Sequence, residues 1–259
     1  MAVALVTGGT SGIGAEFARQ LAQRGYDLVL VARDEVRLST VADELRALGR
    51  QVETFPADLS NRDDVDRVAA RLEDESRPVD LLVNNAGFGM HVPLTQSDVA
   101  PHDLGFEVMC RTVLVLSGAA ARAMRTRGHG RIVNVSSIAG MLAMGTYSSI
   151  KAWVTSYSEG LSVELQGTGV TVTVLLPGWV RTEFHQRAGI RASSIPNSLW
   201  LQPEQLVSAA LRDVDRGKVI SIPTIRYQVL AGLLRHAPKS AVRAVSGKIS
   251  SSRKTPVNS

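Results

Sequence analysis

Cysteine is almost missing from this chain of 259 residues: Cys110 stands alone. A single thiol can form no intrachain disulfide and no thiolate metal cluster, and it suits a reducing compartment, so a cytoplasmic protein is expected. Aromatic residues are scarce at 5%, and no basic stripe is interleaved with them, which argues against nucleic-acid binding. No apolar run approaches the roughly 18 residues that span a bilayer. The opening "MAVALVTGG" has no charged region before its apolar one and does not read as a signal peptide. The five histidines show no i, i+4 or Glu-linked spacing, so no metal site is expected. Acidic residues vanish near the end: Arg216 to Ser259 holds nine Lys and Arg and no Asp or Glu, against 20 basic and 24 acidic residues elsewhere. The net charge of +5 therefore belongs to the C-terminal segment.

What remains is an alternation of short apolar runs with helical patterns. "VALVTGG", "DLVLVAR", "QVETFPAD", "VDLLVNNAG", "RIVNVSS", "VTVTVLLPG" and "KVISIP" read as seven strands. Between them lie "GIGAEFARQLAQRG", "DEVRLSTVADELRALG", "RDDVDRVAARLEDES", a long helix from Asp98 to Arg127 and a helix from Thr146 to Gln166. Near-continuous apolar strands separated by helices predict a parallel sheet covered on both faces. Right-handed crossovers make it a doubly wound, Rossmann-like α/β fold in a single domain. Residues 1–223 form that domain, with an irregular substrate loop at about 182–203. Residues 224–259 are expected to hold an amphipathic helix and a basic, disordered tail.

"TGGTSGIG" at 7–14 joins the first strand to the first helix. Gly8, Gly12 and Gly14 allow a tight turn and close approach of the backbone to a pyrophosphate, which the helix N-terminus then attracts. A dinucleotide is therefore expected. An NAD site ordinarily offers a carboxylate at the end of the second strand, for the ribose 2′-OH. Here Ala32 and Arg33 stand at that point, and Asp34 reads as the N-cap of the next helix. A guanidinium binds a 2′-phosphate in a fork, so NADP(H) is expected rather than NAD(H).

In "GTYSSIKAW", Tyr147 and Lys151 are spaced i, i+4 and share a helix face. A cation there favours the phenolate, so the pair is expected to bring Tyr147 toward neutral pH as a proton donor and acceptor. It opens the helix after the fifth strand, at the carboxyl edge of the sheet, where a doubly wound fold binds ligands.

The order of these motifs resembles the short-chain dehydrogenase/reductase family. The chain carries T-G-x-x-x-G-x-G at 7–14, Asp58-Leu59, "NNAG" at 84–87, Ser137 with "YSSIK" at 147–151, and Pro177-Gly178 with Thr182. The resemblance spans about residues 3–185. It implies hydride transfer between nicotinamide and a carbonyl or secondary alcohol, with Ser137, Tyr147 and Lys151 catalytic. Ser137 would hydrogen-bond the substrate oxygen, and Lys151 would also hold the nicotinamide ribose. Cofactor contacts are implied for Thr10, Ser11, Gly12, Ile13 and Gly14, for Asp58 and Leu59 at the adenine, and for Asn85, Ala86 and Gly87. They are implied also for Pro177, Gly178, Val180 and Thr182 at the nicotinamide end. The resemblance implies a homo-oligomer built on the long helix and the Tyr147 helix. Two departures stand out. The long-helix position where the family usually has Asn holds Met109, beside Cys110 and Arg111. A thioether donates no hydrogen bond, so a proton relay there is altered, runs through backbone and water alone, or is weaker. The Ser137-to-Tyr147 segment is also short, so "IAGMLAMG" must hug the site.

Phe88, Met90, Met141, Leu142, Met144, Trp179 and Phe184 either face an apolar, lipid- or steroid-like substrate or fill the core. "IRYQVLAGLLRH" places Ile225, Val229, Leu230, Leu233 and Leu234 on one helical face, which packs on the body or a second subunit, or touches anionic membrane. An NADP-binding regulator without turnover and a membrane-docked scaffold are the competing function classes.

Overall fold

The computed structural model describes residues 1–90, 92–182 and 197–251. Its strands are β1 (Val3–Thr7), β2 (Asp27–Ala32), β3 (Val52–Pro56), β4 (Leu81–Asn84), β5 (Gly130–Val135), β6 (Val170–Leu175), β7 (Trp179–Val180), β8 (Trp200–Leu201) and β9 (Ile220–Ser221). Seven of them form one parallel sheet in the order β3-β2-β1-β4-β5-β6-β9, and β7 pairs with β8 in a small second sheet. β1, β2, β5 and β6 are buried along almost their whole length, as a sheet sandwiched between helices requires.

The helices are α1 (Gly12–Gln23), α2 (Glu35–Arg46), α3 (Arg62–Glu73), α4 (Ala100–Phe106), α5 (Thr112–Arg127), α6 (Thr146–Glu164), α7 (Pro203–Asp215), α8 (Ile225–His236) and α9 (Lys239–Ser251). On one face, Phe17 and Leu21 of α1, Leu38 and Leu45 of α2, and Val207 and Leu211 of α7 pack on the sheet. On the other face, Val68 and Leu72 of α3, Leu116 and Met124 of α5, and Leu161 of α6 do so. Each such side chain contributes roughly 1.5–3 kcal/mol by leaving water. Asp34 caps α2 as expected, its carboxylate accepting from Arg37 N at 3.0 Å. Between β4 and β5 runs a buried polar chain: Asn84 Nδ2 donates to Asn134 Oδ1 at 2.9 Å and to Ser117 Oγ at 3.0 Å, and Asn134 Nδ2 donates to Ser158 Oγ at 3.0 Å.

Several expectations need correction. The long helix is interrupted by a π-turn, Glu107–Arg111, centred on Met109. The combined stretch Ala100–Arg127 is long and apolar enough to cross a bilayer by length and composition, yet just over half of its apolar window is buried inside the protein. The expectations contain no helix at α7, although Leu206, Val207, Ala210, Leu211 and Val214 recur at helical spacing behind Pro203. The C-terminal segment is two helices rather than one. Pro238 brings no N–H to continue α8, and α9 extends to Ser251 through part of the stretch expected to be disordered. Residues 252–259 lie outside the described residues.

Candidate active site

The strand order reverses at β1 and β4, so the loops after these two strands part and open a crevice at the carboxyl edge. That crevice is a cleft of about 1690 Å³, and nearly every residue expected at the site lines it. Gly8, Thr10, Ser11, Gly12 and Ile13 form one wall. Gly8 and Gly12 have φ of 65° and 55°, a region that strains any side chain. Gly14 lies beneath the turn instead of on its surface: a Cβ there would overlap Gly8 O and Asn85 Nδ2. Asn85 fixes the turn, donating from Nδ2 to Thr7 O at 3.0 Å, while Thr7 Oγ1 accepts from Asn85 N and Ala86 N. Ser11, the N-cap of α1, makes no side-chain capping bond, so the first N–H groups of α1 are left for an anion. A cradle that no Cβ could share, at a helix N-terminus, fits the pyrophosphate of a dinucleotide.

At the far end the cleft is bordered by Arg33, Arg37, Asp58 and Leu59. Sequence reasoning found Arg33 but not Arg37. Its signal was available: as the third residue after the N-cap Asp34, it shares the first turn of α2 with the expected phosphate site. Burial works to raise the Asp58 carboxyl, but hydrogen bonds from Ser60 and the Arg33 guanidinium hold it below its usual value.

At the opposite end, β5 and α6 bring Ser137, Tyr147 and Lys151 to one wall. Ser137 and Tyr147 share a hydrogen bond, and Ser137 Oγ accepts from Ala139 N at 3.1 Å. Ser136 is the structural member of the Ser pair: its hydroxyl donates to Lys151 O at 2.6 Å, fixing β5 to α6. Lys151 Nζ lies 5.7 Å from the Tyr147 ring centre and donates to Val135 O at 2.9 Å. The expected acidification of Tyr147 is not found. Burial pushes the phenol up to about 12, more than the Ser137 hydrogen bond lowers it, and burial pushes Lys151 down to about 8. The physical reason is that both charged forms lose water, and the ammonium spends its bond on a backbone carbonyl.

Met109 is 1% exposed and packs on Gly87, where an added Cβ would lie 3.1 Å from its sulfur and 3.8 Å from Lys151 Nζ. Cys110 also feels Lys151, though burial pushes its thiol up to about 11. Neither side chain gives Lys151 a strong acceptor. The short Ser137-to-Tyr147 segment does hug the site: at Gly140 an added Cβ would lie 2.8 Å from Ala152 N. His102, not anticipated, links the start of α6 to the loop before α4. Its Nδ1 is 2.7 Å from Thr146 Oγ1 and its Nε2 3.3 Å from Pro93 O.

Pro177, Gly178, Val180 and Thr182 line the same end, beside Asn85, Ala86 and Gly87. Thr182 reaches back to the glycine turn, 3.2 Å from where a Gly12 Cβ would stand. Phe88, Met90, Leu142, Met144 and Trp179 face the cleft. Met141 does not; it packs beside Ile138 and Val154. Phe184 lies outside the described residues. Tyr227 of α8 was also missed. Its ring lies against Gly178, and its hydroxyl accepts from Trp179 N at 3.0 Å and donates to Leu199 O at 2.6 Å.

A family model described as short chain dehydrogenase matches residues 2–191. An uncharacterized oxidoreductase of Staphylococcus saprophyticus is 36% identical over 184 residues, covering 70% of this chain and 79% of its own length. A solved short-chain dehydrogenase from Sphingobium yanoikuyae, in complex with NADPH, has a TM-score of 0.83 at 34% identity and covers 100% of this chain and 98% of its own. The bulky-bulky ketone specific alcohol dehydrogenase from Comamonas testosteroni has a TM-score of 0.78 at 31% identity, with 93% and 96% covered.

Proposed function

The chain belongs to the short-chain dehydrogenase/reductase family and is an NAD(P)-dependent oxidoreductase acting on CH–OH groups; within that activity we propose that it uses NADP(H) to interconvert an apolar carbonyl compound and its secondary alcohol. The observation that carries the reading is the convergence of Ser137, Tyr147 and Lys151 on one wall of the cleft that holds the glycine turn. Arg33 and Arg37 at the mouth support NADP(H), since two guanidinium groups suit a 2′-phosphate. The similar Sphingobium protein was solved with NADPH. Gly8, Ser11, Gly12 and the α1 N-terminus would hold the pyrophosphate, and Pro177 to Thr182 the nicotinamide end.

NADPH, when bound, would supply the hydride to the carbonyl carbon. Tyr147 gives its phenolic proton to the carbonyl oxygen, and Ser137 Oγ donates a hydrogen bond to that same oxygen. The Lys151 ammonium stabilises the phenolate left behind until that phenolate takes a proton from water. Because Tyr147 stays protonated well above neutral pH, the site as built is an acid ready for carbonyl reduction.

Phe88, Met90, Leu142, Met144 and Trp179 give the substrate end an apolar lining, in keeping with a bulky lipid- or steroid-like ketone. The similarity to an alcohol dehydrogenase described as specific for bulky-bulky ketones supports this class. The reading includes a homo-oligomer through α5 and α6, where Leu114 and Val163 are exposed, and a cytoplasmic setting in which the buried Cys110 thiol is free. It also includes peripheral contact with anionic membrane through residues 224–259. The test is NADPH consumption with a panel of ketones, comparing wild type with Tyr147→Phe. A loss of about 10²–10⁴-fold is expected from removing the proton donor. Turnover unchanged in Tyr147→Phe would refute the assignment, and a wild type that binds NADPH but reduces nothing would favour the regulator.

A further inference from the structure

On α8, Ile225, Val229 and Leu233 are 78%, 58% and 66% exposed. At about 100° per residue they form one stripe along the helix. The stripe is not isolated. Leu230 and Leu234, next around the helix, line the cleft, and Tyr227 and Ala231 beyond them are buried. An apolar arc thus runs from the outer surface of α8, crossed only at its first turn by Arg226, over the rim and into the substrate end. Val245 of α9 lines the same mouth. Both helices are fixed to the site: Tyr227 bonds Trp179 N and Leu199 O, and Ser246 Oγ accepts from Ala143 N at 2.9 Å. Around the stripe, Arg226, Arg235, Lys239 and Arg243 are exposed, and residues 216–259 contain no acidic group.

We infer that α8 and α9 form a lipid-facing mouth through which an apolar substrate passes from an anionic bilayer directly into the cleft. This rests on the carbonyl-reductase reading above and adds the route. An apolar stripe bordered by cations matches the boundary between acyl chains and anionic headgroups. A second copy seated two-fold on this face would instead set two basic segments against each other. Ile225, Val229 and Leu233 would enter the acyl boundary, Lys239 and Arg243 would meet the headgroups, and Leu230 would stand at the doorway.

The test uses the full chain with NADPH. Vesicles are made of equal parts phosphatidylglycerol and phosphatidylcholine, or of phosphatidylcholine alone. The ketones are 2-tridecanone, dissolved in the vesicles, and cyclohexanone, free in water. Wild type is expected to float with the anionic vesicles and not the neutral ones, and to reduce 2-tridecanone faster when the anionic vesicles carry it. Ile225→Ser/Val229→Ser/Leu233→Ser and, separately, Lys239→Glu/Arg243→Glu should lose flotation and the vesicle-linked rate by about tenfold or more. Both should keep the cyclohexanone rate, which also shows that they fold. Failure of wild type to float, or flotation with no gain for 2-tridecanone, overturns the route alone. So does a fall in oligomer size in the triple variant, which would assign the stripe to a second copy. Absence of turnover with both ketones overturns the catalytic reading and the route with it.

Discussion

Replacing Lys151 with Met should make the protein more stable while removing its activity. Lys151 is 5% exposed, and burial carries its ammonium from an ordinary 10.5 down to about 8. At 1.36 kcal/mol for each tenfold change, the buried charge costs about 3 kcal/mol. The sign follows from proton counting. Below about pH 8 both folded and unfolded chains hold the proton, and the whole penalty is present. Between about 8 and 10.5 the unfolded chain binds more protons, so wild-type stability rises with pH. By about pH 9.5 the same two values leave a penalty of about 1.4 kcal/mol. Met removes the charge at similar volume but leaves Val135 O without its donor, which costs about 1–3 kcal/mol. At pH 7 the net gain is therefore about 1 kcal/mol. The firmer quantity is its change: the advantage of Lys151→Met over wild type should shrink by about 2 kcal/mol between pH 7 and 9.5. Cys110 loses the Lys151 charge in the variant, but burial holds Cys110 at about 11 and Tyr147 at about 12, so both folded proteins keep these protons to pH 9.5 and the difference changes little. Urea unfolding of both proteins at the two pH values measures it. A difference that does not change with pH would refute the idea that Lys151 is a desolvated cation in the folded chain.

Arg33→Ala should lower the preference for NADPH over NADH by about tenfold or more, the worth of a charged hydrogen bond to phosphate, read from the two dissociation constants. An unchanged ratio would remove Arg33 as the discriminator. Gly14→Ala should destabilise the chain by about 1–3 kcal/mol and weaken NADPH binding, although Ala is the better helix former, because its Cβ would overlap Gly8 O. A neutral effect in chemical unfolding would mean that the turn is looser than its geometry. Carbonyl reduction should hold across neutral pH and fall as Lys151 loses its proton near 8, because the phenolate left by proton transfer then has no cation beside it. A profile of kcat for reduction would decide, and a rate unchanged from pH 7 to 9.5 would contradict it.

Much of this fold was written in local pattern. The strands of the large sheet are read easily because both faces are covered, so each is an apolar run. Tyr147 and Lys151 are read from their spacing and Ser137 from the family resemblance, and the three line one wall. What could not be read is direction. The pattern of α8 shows an apolar face but not which way it turns. Its orientation is set by Tyr227, whose hydroxyl is claimed by Trp179 N and Leu199 O from distant loops. With Tyr227 inward, Ile225, Val229 and Leu233 must point out. Met141 and Met144 are likewise equal in sequence, and only packing sends one under the 3-10 turn at Ile138–Met141 and the other into the cleft.

The same limit explains the Tyr147–Lys151 pair. Spacing places a cation beside a phenol, and in water that would lower the phenol. The chain instead surrounds the pair with Met109, Cys110 and Ile150, all buried, and leaves one backbone carbonyl for the ammonium. Desolvation then acts on both groups, raising one and lowering the other, so their values move apart rather than together. An Asn at Met109 would bring a dipole into this space. A thioether at the π-turn brings none, so Lys151 depends on Val135 O and on whatever the cleft admits. In such a site the charge balance is completed by the ligand: a cationic nicotinamide ring favours the phenolate and an electron-rich one does not. The proton-transfer bias of this protein is therefore a property of the filled cleft, set by side chains far apart in sequence.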